Sequence, residues 1–168
     1  MQIPVTIADQ AGSVSLEEMA YVWRGECLDL FSAGEGVVSN CLEAVRDSSL
    51  QLSKESSHPG FAARARSLSE VLAQARFSGH SRKALRFLDE WRNLYSRRVW
   101  LAHGKMEIHK ESISLRYCDY SDGNLKISEP AKYTSSEMDV LLQQLRQGLR
   151  RMEQQFGQIA AACKRGEI

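Results

Sequence analysis

The chain has 168 residues, 43% of them hydrophobic and 26% charged, with a formal net charge of +1. That length is enough for one domain with its own core, without disulfide staples. The near-neutral charge excludes a protein that coats nucleic acid through bulk electrostatics, although a local site remains open. No apolar run approaches the roughly 20 residues of a membrane-spanning helix.

The first residues, Met1 to Gly12, carry neither a basic stretch nor an apolar one, so no secretory signal is legible. Residues 1–13 read as a flexible lead-in. Cys27, Cys41, Cys118 and Cys163 are scattered, with no Cys-x-x-Cys or His-x3-His spacing. The expectation is a reduced, cytoplasmic protein with no structural metal and no cofactor, and with Cys27, Cys41 and Cys163 as small buried hydrophobes.

In chain order, the first helix is announced by a capping box, Ser15 with Glu18, and by a Val14–Met19 staple. Its apolar stripe runs Leu16, Met19, Trp23, Cys27, Leu30, Val37, Cys41 and Val45. Gly25, Gly34 and Gly36 interrupt it. Each costs up to about 1 kcal/mol relative to alanine in a helix interior, which favours close packing of a neighbour over a kink. Residues 48–60 are serine-rich, end in His58-Pro59-Gly60, and read as an exposed loop. A short helix follows over 61–75, with Ala65, Leu68, Val71 and Leu72 inward.

The next helix is predicted from about Ser81 to His103, with an apolar arc of Ala84, Phe87, Leu88, Trp91, Leu94, Tyr95, Leu101 and Ala102. At about 100° per residue, Arg98 falls near the middle of that arc. A buried guanidinium costs several kcal/mol unless paired. It is either partnered by a carboxylate such as Glu26, Asp29 or Glu35, or it awaits an external anion. His103 brings a proton-transfer group to the end of the same helix, and Gly104 suits a left-handed C-cap. Trp23 and Trp91 read as packing; Trp100 lies off the arc and reads as a candidate interface residue. His58, His80 and His109 read as exposed and without a role.

Beyond Gly104 the period becomes two. Ile113, Leu115 and Tyr117 alternate with polar positions, Ser121-Asp122-Gly123-Asn124 is turn chemistry, and Leu125 with Ile127 is the return strand. The expectation over 105–130 is a β-hairpin, with a possible third strand over 105–109. The C-terminal helix, 134–164, opens with a Thr134/Glu137 capping box and a Tyr133–Met138 staple. Its seam is Met138, Leu142, Leu145, Leu149, Met152, Phe156, Ile159 and Cys163, which suits packing on one neighbour. Arg146, Arg150 and Arg151 beside it read as a solvated face. The fold class is therefore mainly α: a four-helix-type antiparallel bundle with a small β-hairpin inserted between the last two helices, one domain over 1–168.

A penultimate helix ending in Arg98-Val-Trp-Leu-Ala-His103-Gly104, followed by a hairpin and a capped final helix, resembles the HEPN superfamily. The resemblance spans roughly residues 81–164 in order of elements, and more loosely the first helix. It implies a metal-independent endoribonuclease, of toxin or phage-defence type, that works as a homodimer on RNA and can have an antitoxin or other protein partner. It assigns phosphate binding to Arg98 and proton transfer to His103; Arg92 and Arg97 lie nearby and could contact flanking phosphates. The residue after the arginine, often Asn or Asp in active members, is Val99 here. The alternative is a non-catalytic HEPN-like module that binds a protein or a nucleotide.

Overall fold

The computed structural model describes residues 14–48, 52–74, 79–121 and 124–167. The lead-in over 1–13 lies outside the described residues, as do positions 49–51 of the serine-rich loop and Asp122-Gly123 of the turn. The molecule is mainly helical with a small antiparallel β element, and none of its described helices is long and apolar enough to cross a membrane.

Helix α1 (Leu16–Arg46) begins as its sequence dictates. Ser15 Oγ accepts from the Glu18 N–H, and the Glu18 carboxylate accepts from the Ser15 N–H at 3.0 Å. It buries Ala20, Trp23, Cys27, Phe31, Val38, Cys41, Leu42 and Val45. Leu30 and Val37 of the expected stripe lie only half inward, while Phe31 and Val38 beside them take the core positions. The interior glycines divide. A Cβ on Gly34 would stand 2.3 Å from the indole of Trp91, so close packing requires glycine there; Gly25 and Gly36 face open space.

The loop is less open than its composition suggests. Lys54–Ser57 forms a 3-10 turn, Ser56 is buried, and Ser53 Oγ donates to Ser67 Oγ at 3.0 Å. Helix α2 (Phe61–Gln74) buries Ala65, Leu68, Val71 and Leu72 as expected.

The long helix predicted over 81–103 is two helices, α3 (His80–Tyr95) and α4 (Arg98–His103). The break has a local cause. In a continuous helix the Arg97 N–H would bond to the Asn93 carbonyl. Ser96 Oγ donates to that carbonyl at 2.7 Å, and the Arg97 N–H turns instead to Leu94 O at 3.0 Å. A serine competing for a backbone acceptor breaks the ladder.

The β region also departs from a single hairpin. Strand β1 (Lys105–Ile108) pairs antiparallel with β2 (Ser112–Arg116), and β2 pairs with β5 (Ala131–Thr134), in the order β1-β2-β5. Strands β3 (Cys118–Ser121) and β4 (Asn124–Ile127) form a separate two-stranded ribbon. Of the stretch over 113–118 only Cys118 meets the expected return strand, opposite Ile127, while the expected third strand over 105–109 is β1. The chain leaves the first sheet at Tyr117, where Ser128 Oγ accepts the Tyr117 N–H and the Ser128 N–H returns to Tyr117 O. Ile113 and Leu115 of the central strand are fully buried.

Strand β5 runs directly into α5 (Ser135–Lys164), with Thr134 both ending the strand and capping the helix. Buried positions follow the expected seam, with Leu141 replacing Leu142 as the fully buried residue. The helix packs on α1 and α3 together, not on one neighbour, because Leu141 and Gln155 widen the seam into a two-sided face. It runs antiparallel to α3, with Arg151 on Glu90 and Gln155 on His80. It runs parallel to α1, whose Trp23 meets Met138 and whose residues 37–41 lie beside 153–160, so the bundle is not antiparallel throughout as expected. Trp23 joins both ends of the sequence: its Nε1 donates to Met138 O at 2.9 Å, and its ring lies 5.0 Å from that of Tyr133.

Candidate functional site

Glu35 is the hub of the site. It follows Gly34, and the contact of Gly34 with Trp91 brings α1 against α3 at this level. Phe31 meets the rings of Trp91 and Tyr95 edge-on at 5.8 and 5.6 Å, and Phe61 stacks on Tyr95 at 4.1 Å. These contacts fix Tyr95, at the end of α3, over α1. The Tyr95 hydroxyl donates to Glu35 Oε1 at 2.7 Å. Burial and that bond to a carboxylate push the phenol up to about 12, so it stays a neutral donor at physiological pH.

Two guanidiniums share the Glu35 carboxylate. Arg64 Nη2 of α2 donates to Oε2 at 3.2 Å, and Arg64 Nη1 also serves the His58 and Pro59 carbonyls. Arg98, the first residue of α4, places Nε 3.3 Å from Glu35 Oε1 and its guanidinium 5.6 Å from the Tyr95 ring centroid. Of the three candidate acids, Glu35 is thus the partner; Glu26 pairs instead with Arg146. Arg98 is not sealed in the core, as its side chain is 33% exposed. Its Nε is shut off from solvent without a well-formed hydrogen bond, and its two terminal nitrogens make none among the described residues. One carboxylate against two cations leaves the cluster with a net positive charge.

The other end of α4 is built differently. His103 is exposed and has no hydrogen-bond partner among the described residues. Arg24 of α1 caps the helix, with Nε on Leu101 O at 2.5 Å and Nη2 on Ala102 O at 3.2 Å. Gly104 is not left-handed. Its backbone is extended (φ −71°, ψ 136°), and glycine is needed because a Cβ would lie 2.2 Å from the Trp100 carbonyl, which accepts the Gly104 N–H. Five residues along a helix turn Arg98 and His103 about 140° apart, so within one chain the cation and the imidazole diverge.

The remaining candidates lie outside this cluster. Arg97 is exposed, sits beside the Tyr133 hydroxyl, and lines a groove of about 540 Å³ with Trp100 and Lys132. Arg92 is exposed and pairs with Asp89 at 3.4 Å. Trp23 and Trp91 are core residues, whereas Trp100 is half-buried with its ring edge-on to Tyr117 at 5.2 Å. His58, His80 and His109 are exposed. Sequence reasoning missed Arg24, Arg64 and Tyr95, whose roles depend on which helices meet. The one usable signal was Gly34 beside Glu35, a mark of close approach next to an acid. The chain matches no family model, no curated protein and no solved structure.

Proposed function

We propose that the chain is a HEPN-type, metal-independent endoribonuclease, a helical bundle acting as a homodimer in a toxin or defence setting. The observation that carries this reading is the contrast on α4. Arg98 is anchored to Glu35 on its Nε side, which leaves its planar pair of terminal nitrogens without a partner among the described residues. That fork matches the geometry of a phosphodiester.

In this reading the RNA is cut by its own 2′-hydroxyl. The 2′-oxygen bonds to phosphorus and the 5′-oxygen leaves, giving a 2′,3′-cyclic phosphate and a 5′-hydroxyl. One His103 takes the 2′ proton and the partner subunit's His103 supplies a proton to the leaving oxygen. Arg98 offsets the charge that builds on the nonbridging oxygens. A two-fold dimer supplies two imidazoles and lets groups that diverge within one chain converge across an interface. Arg97 and Arg92, both exposed, would contact flanking phosphates.

The test is incubation of RNA with the purified protein in EDTA, beside His103→Ala and Arg98→Ala. The reading requires cleavage by wild type and loss in both folded variants. Absence of cleavage of any RNA, with His103→Ala keeping full biological activity, would overturn it. The pairing of Arg98 with Glu35 favours a second reading, a non-catalytic HEPN-like module in which both arginines hold helices together. Loss of folding in Arg98→Ala, with no cleavage by wild type, selects that one.

A further inference from the structure

A second surface, at the starts of the two long helices, carries an inference independent of the ribonuclease reading. Soluble proteins seldom cluster large apolar side chains in the open. Here Val14 and Val22 are each 62% exposed and Met19 is 40% exposed, all within the first two turns of α1 or just before it. With Trp23, Met138 and Leu142 they line a groove of about 310 Å³ between the starts of α1 and α5. The Trp23–Met138 hydrogen bond and the Trp23–Tyr133 ring contact make its floor rigid.

The groove is edged by acids. Glu26 and Asp139 line it, and Glu18 lies one turn before Val22 on the same side of α1. Glu18 is kept ionised by the backbone N–H and hydroxyl of Ser15. Arg146, bound to Glu26 at 2.8 Å, is the cation that answers these carboxylates, so the edge stays negative.

We propose that this groove docks an amphipathic helix of another protein, with apolar residues seated on Val14, Met19 and Val22 and lysines or arginines along the acidic edge. Helix-in-groove recognition needs these two features together, apolar anchors for affinity and edge charge for choice of partner. The charge discriminates among occupants. A second copy docked on the same face would set acid against acid. The chain's own residues 1–13 carry one charged side chain, Asp9, which is of the wrong sign.

The test titrates the full-length protein with a helical peptide of about five turns, carrying leucines at i, i+3, i+4 and i+7 and lysines elsewhere. A matched peptide with glutamates in place of the lysines is the control, and calorimetry reads both. The lysine peptide should bind at least about tenfold more tightly than its acidic twin. Met19→Ser with Val22→Ser should lower that affinity by a similar factor, and Asp139→Lys should narrow the preference between the peptides. Equal binding of both peptides, or of neither, overturns the proposal. So does an affinity raised by Ile3→Ser with Val5→Ser, which would assign the groove to the chain's own first residues. A concentration-dependent dimer that is lost in the Met19→Ser, Val22→Ser protein would assign it to a second copy and overturn the proposal equally.

Discussion

The two ends of α4, a helix of six residues, are physically opposite. At its start, Arg98 is held against Glu35 together with Arg64 and Tyr95, so three helices meet on one carboxylate. At its end, His103 is exposed and makes no hydrogen bond among the described residues, while Arg24 holds the carbonyls just before it. A cation that must bind charge at a fixed place benefits from a locked rotamer; a group that must exchange protons benefits from access to solvent and substrate. Packing that fixes the one and spares the other is what a site with separate positioning and proton-transfer groups requires.

The largest effect should come at the free end. His103→Ala should lower RNA cleavage by about 10²–10⁴-fold, as loss of an acid–base group does. Its melting temperature should stay at the wild-type value, because the side chain makes no hydrogen bond among the described residues. A large drop in melting temperature would erase the contrast between the ends.

The fixed end should respond in the opposite way. Glu35→Ala removes the shared acceptor and leaves Arg64 and Arg98 side by side. Fully buried pairs cost about 3–5 kcal/mol when broken; with these side chains a sixth to a third exposed, about 1–3 kcal/mol is expected, read by urea denaturation. The glycines beside it sharpen the point. Gly34→Ala drives a methyl into Trp91 and should cost about 1–3 kcal/mol, whereas Gly36→Ala, facing open space, should gain up to about 1 kcal/mol from helix propensity. Equal effects at the two positions would show that α1 and α3 are not in contact at Glu35.

A smaller effect tests the core that carries both ends. Burial pushes the thiols of Cys27 and Cys41 up to about 12, above the unfolded value near 8.5. Their protonated forms are favoured in the fold, so this contribution is complete below about pH 8.5. It should fall by about 1.4 kcal/mol per pH unit per thiol as pH rises from there toward 12. Urea midpoints measured from pH 7 to 10 should decline, and Cys41→Ala should flatten the decline. In the native protein the exposed Cys118 should be the thiol that alkylates first at pH 8.

Much of the helical frame was legible because it is written locally. Both capping boxes sit where Ser15/Glu18 and Thr134/Glu137 placed them, and Ala65, Leu68, Val71 and Leu72 turn inward at helical spacing. What was not legible depends on competition or on distance. Ser96 outcompetes a backbone N–H for one carbonyl, and that splits a helix whose apolar period runs on unbroken. Alternation marks residues 113–118 as extended but says nothing of their partners, which turn out to be β1 and β5 for 113–116 and β4 for Cys118. At the site, the need of Arg98 for an acid was readable from its place on an apolar arc. The choice of Glu35 over Glu26 or Asp29, and the arrival of Arg64 and Tyr95, arise only when α1, α2 and α3 pack.

The central claim is that Arg98 and His103, divergent on their own helix, act together across a two-fold interface with both imidazoles engaged. Co-expressing wild type with increasing proportions of His103→Ala, then measuring RNA cleavage per total protein, addresses it directly. If each site draws on both subunits, activity falls with the square of the wild-type fraction. A linear fall would mean that each chain is self-sufficient, and would contradict the shared site.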